Sequence, residues 1–185
     1  MGTALATDAS AFDTAAVDTV DPLSFDVLVA RHQSMVFSIA YHYLQDRSAA
    51  EDLAQDVFLQ LHHHLGRLES ADHVTFWLRR VTAHRCIDHR RQHRFRLLSL
   101  DRIAEPAHEP IADDPLLTRR LHALVGELPP RARMAIVLRY QEDLTPDEIA
   151  RVLGRPVATV KSQLQRALKT LRKSERERAQ YQAKI

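Results

Sequence analysis

Apolar residues recur every three or four positions along two long parts of this chain, which is the spacing of one face of an α-helix. The two parts are residues 23–96 and 116–173. Residues 1–22, 97–115 and 174–185 lack this period and are polar or rich in proline. The pattern therefore predicts an all-α protein of two small helical domains, with a disordered N-terminal tail, a flexible linker and a short C-terminal tail.

The first domain is expected to contain three helices. The first helix covers residues 25–44, and the second begins after it at a capping box formed by Ser48 and Glu51. A loop at residues 66–75 follows, in which Asp72 is the expected cap of the third helix. The apolar faces of these helices predict a small bundle with a common core.

The third helix, over residues 74–96, changes character along its length. Its first half is apolar, and its second half carries most of the arginines. With Trp77 and Phe95 nearby, these arginines suit single-stranded nucleic acid, because guanidinium groups hold phosphate while aromatic rings accept unstacked bases. A solvated cationic helix without a ligand is the alternative that the residues leave open.

The second domain ends in a helix-turn-helix. Helices over residues 116–128 and 130–140 lead to a segment in which Thr145 and Glu148 form a capping box. Gly154 then supplies the left-handed residue that ends the short helix. Both ends of this helix are thus specified by its own sequence.

The helix after the turn has one apolar face and one polar face, and we expect it to end near Lys173. Its outer face carries small, hydrogen-bonding and cationic residues: Ala158, Thr159, Lys161, Ser162, Gln165, Arg166 and Lys169. Such a helix suits the major groove of DNA. A helical hairpin with a solvated basic face is the alternative.

The formal net charge of +2 hides a strong separation of charge along the chain. Residues 79–96 carry seven arginines against one aspartate, and residues 151–178 carry nine lysines or arginines against two glutamates. Residues 101–118, in contrast, hold five acids against one arginine. Two separate basic surfaces indicate a polyanion that is contacted at two places.

Carboxylates cluster at the start of the second helix: Asp46, Glu51, Asp52 and Asp56. One explanation is that carboxylates stabilise the N-terminal end of a helix dipole. Four carboxylates exceed what one helix start needs, so a contact surface for a partner is the other explanation.

The chain carries no sign of export. Its single cysteine, Cys86, excludes an internal disulfide and fits a reducing compartment. No apolar run approaches membrane-spanning length, and the N-terminus lacks the basic and apolar parts of a signal peptide. We expect a cytoplasmic protein without membrane insertion.

Three stretches carry a resemblance to a known family: SAAEDLAQDVFLQLHHHL at 48–65, FWLRRVTAHRCIDHRR at 76–91 and LPPRARMAIVLRYQEDLTPDEIARVLGRPVATVKSQLQRALKTLR at 128–172. Their order and spacing resemble bacterial RNA polymerase sigma factors of the sigma-70 family, in the extracytoplasmic-function (ECF) group. The resemblance implies that residues 23–96 are sigma region 2, a bundle of three or four helices. It implies that residues 116–173 are sigma region 4, a four-helix domain with the helix-turn-helix.

The resemblance also implies two DNA contacts and one polymerase contact. Region 4 is expected to recognise the minus-35 promoter element as duplex through Arg155, Thr159, Lys161, Ser162, Gln165, Arg166 and Lys169. Region 2 is expected to hold the melted minus-10 element through Arg79, Arg80, Arg85, Arg90, Arg91 and Trp77. The β′ clamp helices of the polymerase are expected to contact Asp46, Glu51, Asp52, Gln55 and Asp56.

The function that the resemblance implies is promoter-specific initiation of transcription. The implied partners are core RNA polymerase, through its β′ clamp helices and β flap, promoter DNA and, as for many family members, an anti-sigma factor. No enzymatic activity, cofactor or metal is expected. The chain departs from the family where one of His62, His63 and His64 replaces a common tryptophan and His84 replaces the usual asparagine.

Two other functions compete with this interpretation. A stand-alone helix-turn-helix regulator explains residues 128–173 but leaves the helices at 48–65 and 76–96 without a role. A metalloenzyme would use some of the eleven histidines, but His89 and His93 lie among arginines, which is a poor setting for a cation.

Overall fold

The computed structural model describes the backbone of residues 23–99 and 115–182, and the side chains of residues 23–92 and 121–176. The regular elements of these ranges are all helical, which confirms the predicted fold class. The predicted N-terminal tail and most of the predicted linker lie outside the described residues. In chain order the α-helices are α1 (Phe25–Leu44), α2 (Arg47–His64), α3 (Ala71–Ser99), α4 (Pro115–Glu127), α5 (Pro130–Tyr140), α6 (Pro146–Leu153) and α7 (Val157–Gln182).

The start of α2 differs from the prediction. Asp46 is the N-cap, and its Oδ1 accepts a hydrogen bond from the backbone N–H of Ala49 at 3.0 Å. Glu51 instead forms an ion pair with Arg47 at 2.8 Å. The predicted Ser48–Glu51 capping box is therefore wrong, because aspartate caps a helix as well as serine does and takes the earlier position.

The start of α3 also differs. A short 3₁₀ turn at Leu65–Arg67 precedes it, and the hydroxyl of Ser70 accepts a hydrogen bond from the backbone N–H of His73 at 3.2 Å. Asp72 lies in the first turn of the helix, so the predicted cap at Asp72 is wrong. Serine and aspartate both cap helices, and here the earlier of the two takes that place. The predicted loop at 66–75 is correspondingly shorter.

The first three helices form a bundle in which α1 and α2 pack on each other and both pack on α3. Their fully buried side chains follow the predicted helical period and are mostly apolar: Leu28, Val36, Ile39, Val57, Leu61, Val74 and Leu78. The outer face of α2 is left to solvent, and so are the N-terminal acids on it. The bundle therefore fixes which sides of α2 and α3 are available to a partner.

Prolines start three helices of the second bundle. Pro115, Pro130 and Pro146 each occupy the first helical position, where a missing N–H leaves no hydrogen bond unmade. Pro115, the last residue of the predicted linker, thus begins α4. The last helix, α7, continues past its predicted end at Lys173 to Gln182, which corrects the predicted tail, since the added residues are mainly helix-forming Glu, Arg, Ala and Gln.

The ends of α6 agree with the sequence. The hydroxyl of Thr145 accepts from the backbone N–H of Glu148 at 3.3 Å, and the carboxylate of Glu148 accepts from the backbone N–H of Thr145 at 2.8 Å. The hydroxyl of Thr145 also donates to this carboxylate at 2.7 Å, and this bond together with the one from the Thr145 backbone N–H lowers the pKa of Glu148. Gly154 has φ 60°, the left-handed conformation that glycine adopts most readily. The capping box and the glycine end are therefore both confirmed.

The two bundles pack against each other. Helix α5 lies on α1 and α3, and α6 lies on α3. The buried apolar residues of both bundles join into one continuous core. This packing places the predicted DNA-binding helix α3 against the second bundle, an arrangement that the hydrophobic pattern alone did not predict.

Candidate nucleic-acid interface

The outer face of α7 is anchored from behind. Ile149 of α6 and Val160 and Leu164 of α7 are buried, which fixes the rotation of α7 about its axis. The cationic and amide side chains on the opposite side are exposed: Arg155, Lys161, Gln165, Arg166 and Lys169. Thr159 and Ser162 are half-buried, and the hydroxyl of Ser162 donates to the carbonyl of Thr159 at 2.9 Å. An anchored helix with donors along its outer side has the form of a major-groove reader.

The arginines of α3 divide into two groups. Three are exposed or nearly so: Arg80, Arg85 and Arg91. Arg79 instead donates from Nε and Nη2 to Oε2 of Glu142, at 3.2 and 3.1 Å. Arg90 donates from Nη2 to the backbone carbonyl of Gly126 at 3.2 Å. Two of the five arginines that were expected to hold DNA are therefore engaged by the second bundle.

Glu142 lies in the connection between α5 and α6, and its side chain is only 7% exposed. Burial raises the pKa of Glu142, while the charge and hydrogen bonds of Arg79 oppose that shift. Because the pKa of Glu142 is raised overall, its ionised carboxylate is less stable at this site than it would be in water. The pair therefore contributes more to the choice of packing than to net stability, whereas removal of one partner leaves the other charge uncompensated.

Trp77 packs within the first bundle. Its ring centroid lies 5.3 Å from that of His64, with 37° between the planes, and Nδ1 of His64 lies 2.8 Å from the carbonyl oxygen of Gln60. His84 is exposed on the same helix, with Nδ1 2.7 Å from the carbonyl oxygen of Arg80. The base contact expected of Trp77 stays a prediction, since its indole is half-buried.

The acidic face of α2 is open to solvent. Its polar residues are exposed: Asp46, Glu51, Asp52, Gln55 and Asp56. Beside them, Phe37 of α1 and Ala54 and Phe58 of α2 line a groove of about 390 Å³ between the two helices, and Gln33 and Ser34 border it. An apolar groove flanked by carboxylates suits an amphipathic basic helix of a partner.

A buried arginine, Arg133 of α5, lies at the boundary between the bundles. It is fully buried, and its Nη1 donates to the backbone carbonyl of Tyr43 at the end of α1 at 3.1 Å. The guanidinium carbon lies 5.7 Å from the centre of the Tyr43 ring. Nε and Nη2 have no hydrogen-bond partner among the described residues. The sequence analysis did not predict that Arg133 is buried. The one sign of it in the sequence is that Arg133 lies between the apolar residues Ala132 and Met134.

Two histidines also meet at this boundary. The ring centroids of His42 in α1 and His122 in α4 are 5.7 Å apart, and the amide of Gln45 donates to the carbonyl of His122. Burial lowers the pKa of both imidazoles, and the charge of His122 lowers that of His42 further. Neutral rings are therefore favoured while the bundles are packed. Nothing in the sequence pattern pointed to this pair, because its members are distant in the chain.

No group of three or more His, Cys, Asp or Glu side chains in the described part of the chain has the arrangement of a metal site. Cys86 is buried, and burial raises the pKa of its thiol. Among the described helices, none has the length and apolar character needed to span a membrane.

Comparisons with known proteins agree with the two bundles. The family model described as Sigma-70 region 2 matches residues 28–96, and the model described as Sigma-70, region 4 matches residues 118–171. The ECF RNA polymerase sigma factor SigE of Mycolicibacterium smegmatis is 34% identical over 158 residues, which are 80% of this chain and 60% of that protein. The RNA polymerase sigma-H factor of Pseudomonas aeruginosa is 27% identical over 168 residues, which are 83% of this chain and 87% of that protein.

Two solved structures share the fold. The sigma factor RpoE from Bartonella quintana, in complex with the anti-sigma factor NepR, matches with a TM-score of 0.70 and 20% identity over 80% of this chain and 94% of that one. CnrH, in complex with the cytosolic domain of CnrY, matches with a TM-score of 0.63 and 24% identity over 85% of this chain and 91% of that one.

Proposed function

Since the chain belongs to the sigma-70 family of RNA polymerase sigma factors, in its extracytoplasmic-function group, we propose that it binds core RNA polymerase and directs transcription from specific promoters. The observation that carries the proposal is the succession of a region 2 match on the arginine-bearing bundle and a region 4 match on the helix-turn-helix. Residues 23–96 form the first module of this proposal, and residues 116–173 form the second.

The acidic face of α2 is the proposed contact for the β′ clamp helices. Its carboxylates are exposed, and they border an apolar groove between α1 and α2. Charged residues around an apolar groove guide a partner of opposite charge into place and select against others. A basic, amphipathic pair of clamp helices fits these requirements, and the β flap is the proposed contact of the second module.

The outer face of α7 is the proposed reader of the minus-35 element. Lys161 and Arg166 project from a helix whose rotation is fixed by buried residues, and Gln165 lies between them. Arginine and lysine recognise guanine edges, and glutamine recognises adenine. Arg155 and Lys169, which flank this set, are placed to contact phosphate.

The arginine-bearing side of α3 is the proposed contact for the melted minus-10 strand. Arg80, Arg85 and Arg91 are exposed in the packed arrangement, whereas Arg79 and Arg90 are released only when the second bundle moves away. Each arginine that neutralises a phosphate releases counterions, so the affinity of this contact should depend steeply on salt.

We also propose an anti-sigma partner and a cytoplasmic location. The Bartonella sigma factor that shares the fold was solved in complex with an anti-sigma factor, which supports a similar partner here. A role without enzymatic activity is the proposal that fits the family.

The test is transcription in vitro with bacterial core polymerase over a promoter library. Addition of the purified chain should give start sites that bare polymerase does not use. Failure to select start sites would contradict the proposal. A stand-alone regulator, the competing function, would bind duplex DNA without copurifying with core polymerase, so copurification separates the two.

A further inference from the structure

The three proposed contact surfaces differ in how much of each is exposed when the two bundles are packed. The acidic face of α2 and the outer face of α7 are exposed to solvent. The arginine-bearing side of α3, by contrast, lies against α5 and α6, and two of its arginines are bound by groups of the second bundle. The proposed minus-10 surface is therefore partly covered within the chain itself, at Arg79 and Arg90, while the other two surfaces stay open.

We propose that Glu142 acts as an internal substitute for DNA phosphate, which holds Arg79 and keeps this part of the minus-10 surface closed until the two modules separate. This inference rests on the minus-10 contact proposed above for α3.

The chemistry of the contact supports this role. The guanidinium of Arg79 donates twice to one carboxylate oxygen, as it would to a phosphate oxygen. A donor pair that is engaged by a carboxylate is not free to bind an incoming phosphate. The carbonyl of Gly126 occupies Arg90 in the same way, through Nη2. Both contacts join α3 to the second bundle, so separation of the modules releases both arginines together.

The open surfaces imply an order of events. The acidic residues of α2 are exposed in the packed arrangement and the groove beside them lies between α1 and α2, so the clamp helices can dock while the chain is still closed. Release of Arg79 then requires the second module to move to its own site on the polymerase. The free chain thereby binds single strands more weakly before it has reached the polymerase.

The test measures module separation and DNA affinity on the full chain. Fluorophores on Leu59→Cys in α2 and Arg172→Cys in α7, both exposed positions, report separation by energy transfer, since buried Cys86 does not label. Glu142→Arg places two cations together and should lower the closed-to-open ratio by roughly tenfold or more. The exchange variant Arg79→Glu/Glu142→Arg restores opposite charges and should restore energy transfer.

Binding of a short single-stranded DNA of random sequence provides the second measurement. Glu142→Arg should bind it several times more tightly than the native chain, whereas the exchange variant should not. Asp147→Arg is the matched control, because it makes the same change in charge at an exposed position on α6. A gain no larger than that of the control would overturn the inference, and so would unchanged energy transfer in Glu142→Arg.

The two readouts separate this inference from the function on which it rests. If the native chain initiates transcription with core polymerase but Glu142→Arg leaves energy transfer unchanged, the internal contact alone is wrong. If Glu142→Arg opens the chain but the native chain selects no start sites, the proposed function fails and the phosphate-substitute role of Glu142 fails with it.

Discussion

Arg133 of α5 reaches across the boundary between the modules and donates a hydrogen bond to the backbone carbonyl of Tyr43, with its guanidinium beside the Tyr43 ring. The carbonyl belongs to the last turn of α1, where helix carbonyls lack a partner within the helix. The contact thus satisfies one group of α1. It also buries a cation, which is unfavourable because Nε and Nη2 of Arg133 have no hydrogen-bond partner among the described residues.

Replacement of this cation by an apolar side chain should stabilise the packed chain. We expect Arg133→Met to raise the free energy of unfolding by about 1–3 kcal/mol, since removal of a buried charge outweighs one lost hydrogen bond. Urea denaturation measures the difference. Arg131→Met, an exposed position on the same helix, is the control and should change little. A clear loss of stability in Arg133→Met would show that the hydrogen bond and ring contact dominate.

The packing of the modules should weaken as the pH falls below 6.5, the ordinary pKa of histidine. Burial lowers the pKa of His42 and His122, so each binds a proton less readily in the packed chain than when exposed. Their contribution to stability is therefore complete above 6.5, begins to decline as the pH falls below that value and is lost as the pH falls through the lowered pKa of the packed chain. Protonation would also place two cations side by side.

Urea denaturation at about pH 7.5 and about pH 5.5 checks this dependence. The double variant His42→Gln/His122→Gln should lose less stability between the two conditions than the native chain, whereas the exposed control His84→Gln should behave like the native chain. The pKa of His32 is also lowered, by burial and by the charges of Arg31 and Arg79. Because every variant retains His32, every variant should still lose some stability as the pH falls. Glu142, whose pKa is raised, acts against it at the acidic end. If the double variant lost as much stability between the two pH values as the native chain, the role assigned to His42 and His122 would be wrong.

Loss of a cation from α7 should weaken minus-35 recognition without affecting polymerase binding. Arg166→Ala or Lys161→Ala is expected to reduce use of a minus-35-dependent promoter by roughly tenfold, because a base contact of this kind contributes about 1–3 kcal/mol. Transcription in vitro and a polymerase pulldown measure the two properties. Arg176→Ala, an exposed cation farther along α7, is the control. Equal loss of promoter use and of pulldown would count against a base-reading role.

Reversal of charge on α2 should weaken polymerase binding while leaving DNA binding by α7 unaffected. Asp52→Arg combined with Asp56→Arg is expected to reduce binding to core polymerase at least tenfold, since like charges would face a basic partner. Duplex binding by α7 should be retained. Glu69→Arg, an exposed acid outside α2, serves as control for a single reversal of charge. An unchanged pulldown with the α2 variant would remove the clamp assignment.

The parts of the fold that the sequence predicted are those specified locally. Thr145, Glu148 and Gly154 determine both ends of α6 within ten residues, and the structure has α6 where they place it. The starts of α2 and α3 were misassigned because Asp46 and Ser70 compete with nearby residues of equal capping ability. Periodicity locates a helix well but does not choose between adjacent caps.

The packing of the two modules was beyond reach of the same reasoning. The pairs that create it, Arg79 with Glu142 and His42 with His122, join residues separated by 63 and 80 positions respectively. No local pattern encodes such a pairing. The exposed face of α7 was predictable because its apolar stripe determines its rotation, whereas the division of the α3 arginines depends on a neighbour from another part of the chain.

The length of α7 has a mechanical consequence. As one uninterrupted helix from Val157 to Gln182, it forms a stiff rod of roughly 39 Å at the usual rise per residue. A tilt of about 10° where the rod meets a promoter would swing its far tip by roughly 7 Å. The displacement of a probe attached at that end of α7 would therefore report small changes in the tilt of the helix on its target.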